Sequence, residues 1–188
     1  HLLEKNHFAS GRIPSEEGYK YYVDHLMKPK NMTGEDMLKL QTIFHNHSLD
    51  LNDTIKKSIE IVSEITNYTF YDAFHEFTTE KTSEAYFGGR TNMLKQPEFS
   101  SIDKVKEILS KFEDIDSISK MKEEDNGINI YVGSETELTD DVSVIKTKYN
   151  INGEEGTIAI IGPKRMEYDR VVTLLDYIKN NLGGDYGK

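Results

Sequence analysis

Apolar residues recur at helical spacing through the first third of the chain. Ile13-Pro14-Ser15-Glu16-Glu17 reads as a helix start, with Ser15 as N-cap and two acids at the positive end of the helix dipole. Tyr19, Tyr22, Val23 and Leu26 carry that helix on, and Pro29 stops it. Thr33 is expected to cap a second helix, whose stripe is Met37, Leu40, Ile43 and Phe44. Asn52 is expected to cap a third, with Ile55, Ile59, Val62 and Ile65 on one face. The pattern then shortens. Tyr68-Thr69-Phe70-Tyr71 is aromatic and β-branched and reads as a strand, as does Ala85-Tyr86-Phe87 before Gly88-Gly89. Glu98–Phe112 patterns as one helix, with Ile102, Val105, Ile108, Leu109 and Phe112 apolar. Ile128–Val132 and Val142–Tyr149 alternate, and Asn152-Gly153 marks a hairpin. Thr157–Ile161 is nearly all apolar, which predicts a central strand. After Gly162-Pro163 a last helix turns Val171, Val172, Leu174, Leu175 and Ile178 inward, and Gly183-Gly184 ends it. The fold class is therefore α+β: a helical linker followed by an antiparallel sheet covered by helices.

Length and charge narrow the picture. A chain of 188 residues suits one domain with a helical arm. With 36% hydrophobic residues and four prolines it is not a disordered composition. The absence of cysteine excludes disulfide and thiol chemistry. No apolar run approaches the ~18 residues of a membrane span, and His1-Leu2-Leu3-Glu4-Lys5 lacks a signal-peptide pattern. A cytoplasmic protein without a membrane partner is expected. Residue 1 is not Met and reads as a truncation point. The net charge of −10 is unevenly spread: residues 1–30 hold five Lys/Arg against four acids, which leaves −11 for the rest. Nucleic-acid affinity rests on Lys/Arg contacts to phosphate, so only the N-terminal end suits DNA.

Candidate chemistry is sparse. His45 and His47 are two apart and diverge on a helix, so the six histidines suggest surface positions and no metal site. Asp114-Ile115-Asp116 opens like a calcium loop but meets Ile118 at the next ligand position. Asn31, Asn46, Asn52 and Asn67 begin Asn-x-Ser/Thr tripeptides, read here as caps and turns. Gly88-Gly89-Arg90-Thr91-Asn92 either cradles a phosphate or turns a strand into a helix, and its spacing matches no nucleotide fingerprint. Gly162, Lys164 and Arg165 precede the last helix: they either hold an anion or form a tight turn with Arg165 paired to an acid. A nucleophile elbow and a singled-out carboxylate pair are both missing, so neither an enzyme nor a cofactor is expected.

Four blocks, in order, carry a resemblance. They are Ser10-Gly11-Arg12-Ile13-Pro14-Ser15-Glu16-Glu17-Gly18-Tyr19-Lys20-Tyr21-Tyr22-Val23-Asp24; Ser63-Glu64-Ile65-Thr66-Asn67-Tyr68-Thr69; Gly88-Gly89-Arg90-Thr91-Asn92-Met93-Leu94 with Gln96-Pro97-Glu98-Phe99; and Gly162-Pro163-Lys164-Arg165-Met166-Glu167-Tyr168. Ile130-Tyr131-Val132-Gly133-Ser134-Glu135 fits the same pattern. Over nearly its whole length the chain resembles the HrcA family of heat-inducible transcription repressors. The resemblance implies a winged helix-turn-helix, then a GAF-like domain interrupted by an inserted dimerisation domain. It also implies a homodimer on an inverted-repeat operator upstream of chaperone operons, kept active by the GroE chaperonin. On this pattern residues 1–14 end the winged helix, residues 15–67 form the helical linker and first GAF-like helices, and residues 68–188 form the GAF-like domain. A remnant of the insertion is then expected around residues 72–84.

The match begins near the end of the wing, where Lys5, His7 and Arg12 either touch phosphate or serve a structural wing-to-linker role. Phe8 and Ala9 stand where the family has hydroxyl residues. The stretch between Tyr68-Thr69 and Gly88-Gly89 is much shorter than in the family, which predicts a chain break near Tyr71–Asp72. The alternative function is a GAF-like small-molecule-sensing module, which an enclosed polar cavity on the sheet would favour.

Overall fold

The computed structural model describes residues 2–5, 12–28, 30–75, 82–114, 116–123, 127–151 and 153–182. A short antiparallel ribbon pairs β1 (Leu3–Lys5) with β2 (Arg12–Pro14). Helices α1 (Glu16–Tyr21), α2 (Gly34–Phe44) and α3 (Leu51–Thr66) follow. Then come β3 (Thr69–His75), β4 (Thr82–Gly88), α4 (Ile102–Glu113), β5 (Asn129–Val132), β6 (Val142–Ile151), β7 (Glu154–Pro163) and α5 (Tyr168–Leu182). The five long-range strands form one antiparallel sheet in the order β4-β3-β7-β6-β5. This is the α+β class read from the sequence, with the apolar run 157–161 in the middle strand.

Helices cover both faces of that sheet. Ile158 and Ile160 of β7 join Phe70, Ile145 and the inner faces of α3 and α5. Ala159 and Ile161 point the other way, to Tyr71, Val144 and the α4 residues Ile108 and Phe112. Each fully buried isoleucine contributes roughly 2 kcal/mol by leaving water. The β6–β7 hairpin closes at Ile151↔Glu154, with Gly153 at φ 88°, as the Asn-Gly pair predicts.

Local signals place most helix ends. Ser15 Oγ accepts from the Gly18 N–H, and Thr33 Oγ1 from the Asp36 N–H. The cap of α3 is Asp50, not Asn52: Asp50 Oδ1 accepts from the Asp53 N–H at 2.8 Å, and Asn52 lies inside the first turn. The first helix is α-helical only to Tyr21 and continues as a π-helical turn over Tyr22–Leu26. The expected single helix 98–112 is two pieces, a 3-10 turn at Pro97–Phe99 and α4, capped by Ser101. Met37 and Ile102, assigned to apolar stripes, are exposed, while Leu40 and Ile108 are buried. Pro29, Asn152 and Gly183-Gly184 lie outside the described residues.

Two further expectations are corrected. The chain is unbroken at Tyr71–Asp72: both residues belong to β3 and pair with Phe87 and Tyr86 on one side and with Ala159 and Ile158 on the other. Residues 72–75 and 82–84 are strand ends within this sheet. Strand β6 is buried on both faces rather than alternating toward solvent. Its polar residues are satisfied internally. The Lys146 ammonium, with no exposed surface, donates to the carbonyls of Ile118, Ser119 and Met121 at 3.2, 3.3 and 2.7 Å and lies 3.3 Å from Glu123 Oε1. Burial pulls its pKa below the ordinary lysine value, and Glu123 opposes that shift.

On the opposite face Tyr149 lies across Gly156 and donates to buried Asp72 Oδ1 at 2.7 Å. Burial first, and the Asp72 carboxylate second, push the Tyr149 phenol far above its ordinary 10.0. A raised tyrosine pKa stabilises the fold fully below the unfolded value, and that stability is lost as pH rises beyond it. Tyr149→Phe should therefore lose about 1–3 kcal/mol at pH 7 through the missing donor. The deficit should narrow above pH ~10, because phenylalanine cannot ionise in the unfolded chain. Urea melts at both pH values check this, and a deficit that widens would contradict it.

Candidate functional site

The N-terminal ribbon is fastened to α1 by backbone. The Ser15 N–H donates to the Leu2 carbonyl at 2.8 Å. A Cβ on Gly18 would lie 2.1 Å from that same oxygen, so only glycine lets the ribbon lie against the helix. In the ribbon register Lys5 stands opposite Arg12. His7 lies outside the described residues.

Helix α1 is in turn fastened to the 3-10 turn Gly133–Thr136 that follows β5. Glu16 Oε1 accepts from the Ser134 N–H at 3.1 Å and from the Ser134 hydroxyl. Gly133 has φ 59°, and a Cβ there would meet Glu16 Oε2 at 2.3 Å. One turn along, Lys20 Nζ is 2.5 Å from Glu135 Oε1. The Tyr19 ring lies 6.3 Å from that of Tyr168. The Tyr168 hydroxyl contacts Ser143 Oγ at 2.8 Å and donates to the Lys164 carbonyl; burial raises its pKa, against the hydrogen bond from Ser143. Further along the linker, Arg170 of α5 holds buried Asp36 through Nε and Nη2 at 3.2–3.3 Å.

The remaining blocks meet behind this joint. Gly89, in the left-handed region at φ 68°, turns β4 into a 3-10 turn, Arg90–Lys95. That is the strand-to-helix reading of the Gly88-Gly89 segment. Asn92 Nδ2 then donates to the carbonyls of Ser63 and Tyr68 at 3.0 and 2.9 Å, bracketing the α3–β3 connection. Gln96 Nε2 donates to the Asn67 carbonyl, and Gln96 Oε1 accepts from Arg165 Nη2 at 2.7 Å. Arg165 Nε donates to Glu98 Oε1, also at 2.7 Å. The Arg165 guanidinium is thus held by Glu98 and Gln96, and an anion bound there would compete with Glu98. The Lys164 N–H donates to the Asp141 carbonyl, and Gly162 is buried against Tyr68 and Met166. The Glu16–Ser134 pair is not visible as a site in the sequence, and Asn92 stands out there only as part of the segment 88–92, not for its bonds to the α3–β3 connection. Asn92 sits in a segment that scans as a turn, and Glu16 reads as ordinary helix-dipole chemistry.

Core side chains fill both faces of the sheet. A polar cleft of about 580 Å³ lies instead at the sheet edge beside the joint, lined in part by Lys20, Lys120, Lys122, Tyr131 and Glu135. Among the described residues there is no group of three or more His, Asp or Glu placed to hold a metal, and no helix long and apolar enough to cross a membrane.

Asn92→Ala should cost about 2 kcal/mol, since two carbonyls lose their donor in a buried position. Arg165→Ala, on a half-exposed ion pair, should cost at most ~1 kcal/mol. Chemical denaturation of the two variants gives the comparison, and an Arg165→Ala loss as large as that of Asn92→Ala would refute the ranking.

Comparison with known proteins bears on what the joint connects. A family model described as the HrcA protein C-terminal domain matches residues 22–172. The chain is 28% identical to the heat-inducible transcription repressor HrcA of Bacillus pumilus (strain SAFR-032) over 280 aligned residues, which span 96% of this chain and 82% of the relative. It is 29% identical to the HrcA of Lysinibacillus sphaericus over 279 residues, spanning 96% and 81%. These alignments are longer than the chain itself, so part of each relative has no counterpart here. In fold the chain is similar to a crystal structure of a hypothetical protein, with TM-score 0.74 and 13% identity over 98% of this chain and 82% of that one.

Proposed function

The chain belongs to the HrcA family, and on that premise we propose that it is the linker and regulatory body of a heat-inducible transcription repressor. Residues 1–14 are the end of a winged-helix DNA-binding domain, residues 15–67 the linker and first helices, and residues 68–188 the GAF-like body. The stretch missing relative to the family is assigned to the connection between β3 and β4. The protein acts as a homodimer on an inverted-repeat operator of chaperone operons in the cytoplasm, and the GroE chaperonin keeps it competent. It is a regulator, not an enzyme.

The observation that carries this reading is the fastening of a cationic ribbon to an acidic body through α1. Lys5 and Arg12 stand opposite one another in the ribbon register, and both are assigned to phosphate contact. His7 is assigned to phosphate contact from the sequence pattern alone. The rest of the chain carries −11, which phosphate repels. Among the described residues, apolar side chains packed between the sheet and its helices support an interaction role. The dimer links two weak half-site contacts through effective concentration. Whatever lowers the population of folded dimer then lowers repression by mass action.

Deleting the gene should raise chaperone-operon transcripts several-fold before any heat shock, measured by quantitative transcript analysis at growth temperature. Unchanged transcripts would sink the proposal. In the native full-length protein, Lys5→Gln with Arg12→Gln should weaken operator and random DNA by the same factor. It should also flatten the salt dependence by roughly two counter-ions, since each lost phosphate contact removes about 0.9 from the slope. A salt slope that does not change would remove these residues from the interface.

A further inference from the structure

We propose that Glu16, Lys20, Gly133 and Glu135 are positioning residues for operator binding: they set the direction in which the DNA-reading end leaves the body, without touching DNA. The inference rests on the repressor reading above and names the joint through which the body acts.

Two close approaches connect ribbon to body, and each depends on a glycine. Gly18 lets the Leu2 carbonyl rest on α1, and Gly133 lets Glu16 reach the Ser134 N–H. A methyl group on Gly18 would press on backbone, and one on Gly133 would displace the Glu16 carboxylate from Ser134. Helix α1 has only six residues and no fully buried side chain. Tyr19 and Tyr22 lean on the core from partly buried positions. Hydrophobic burial therefore holds the helix loosely, and the polar contacts to residues 133–135 decide its angle. These contacts are marginal by construction. The Lys20 and Glu135 side chains are 54% and 32% exposed, so water and salt reach the pair. A π-helical turn, a rare form concentrated at functional sites, follows immediately at Tyr22–Leu26. The joint can thus open while the doubly covered sheet stays folded.

The consequence lies in geometry. Two recognition elements on a dimer must meet half-sites about one helical turn apart. The affinity for a complete operator contains the effective concentration of the second element once the first is bound, and that quantity collapses when the orientation is wrong. Affinity for a single half-site contains no such term.

The test uses the full-length protein and fluorescence anisotropy on two duplexes from a chaperone-operon promoter of the source organism, one with both half-sites and one with a single half-site. Gly133→Ala and Lys20→Glu should each weaken the two-half-site duplex by about tenfold or more. Single-half-site affinity and dimer content should stay at wild-type values for both variants, and so should the melting temperature of Lys20→Glu, while Gly133→Ala melts a few degrees lower because of its positive φ. Lys20→Glu combined with Glu135→Lys restores the pair with reversed sign and should recover most of the lost affinity. Equal losses on both duplexes, no loss on either, or failure of the reversed pair to rescue would each overturn the proposal. Should Gly133→Ala not fold, the charge reversal and its rescue decide alone. A wild-type protein that binds neither duplex overturns the repressor reading, and the joint with it; intact wild-type binding with unaffected variants overturns the joint alone.

Discussion

Strand β7 has helices over both of its faces, and most of the architecture follows from that double burial. A strand with no solvent side has to be apolar on both faces, which the run Ile158-Ala159-Ile160-Ile161 supplies. Its neighbours inherit the constraint. Lys146 of β6 cannot reach bulk water, so its ammonium is surrounded by three carbonyls and the Glu123 carboxylate. Those carbonyls belong to the turn over residues 116–121, which is thereby held against the sheet. Asp72 of β3 is likewise buried, and the Tyr149 phenol meets it. A buried polar group left without such a partner costs a few kcal/mol, so these pairings are conditions of the fold.

The body so formed is deeply buried where it is double-covered and more exposed where the linker joins it. Asn92 and Gln96 tie the end of α3 to the start of β3, and Arg165 with Glu98 ties that corner to the end of β7. Tyr168 extends the network toward Tyr19 on α1. Around Tyr19 the polar contacts of α1, Glu16 with Ser134 and Lys20 with Glu135, are solvent-exposed. A short helix without buried side chains is the kind of element that opens locally. Charge follows the same division, with the acidic body unsuited to phosphate and the cationic ribbon beyond the joint.

Local physics made much of this legible in advance. Ser15 and Thr33 cap helices because a short polar side chain beside a free backbone N–H needs no distant partner. Asn-Gly turns the β6–β7 hairpin because glycine tolerates a positive φ. Where two local signals competed, the reading slipped. Asp50 and Asn52 are both good caps, and which one serves depends on where the chain enters the helix. Ser100-Ser101 breaks what scans as one helix: Phe99 joins the same core as Ile108 and Phe112 but from a separate 3-10 turn, and Ser101 caps α4 afresh, which periodicity does not detect.

The sequence alone therefore determined most of the helices and sheet strands, the central strand, the α+β class and the charge division, because these follow from side-chain chemistry within a few residues. Tertiary structure alone decided which polar residues are interior and which residues form the joint. Lys146 looks like a solvent-facing strand residue until the 116–121 turn closes over it. Glu16 looks like a helix-dipole acid until Ser134, 118 positions away, comes within hydrogen-bonding distance. The spacing of residues along a chain carries no record of that approach. It arises only when the sheet and its two helical layers bring distant segments together, and two glycines leave the room for it.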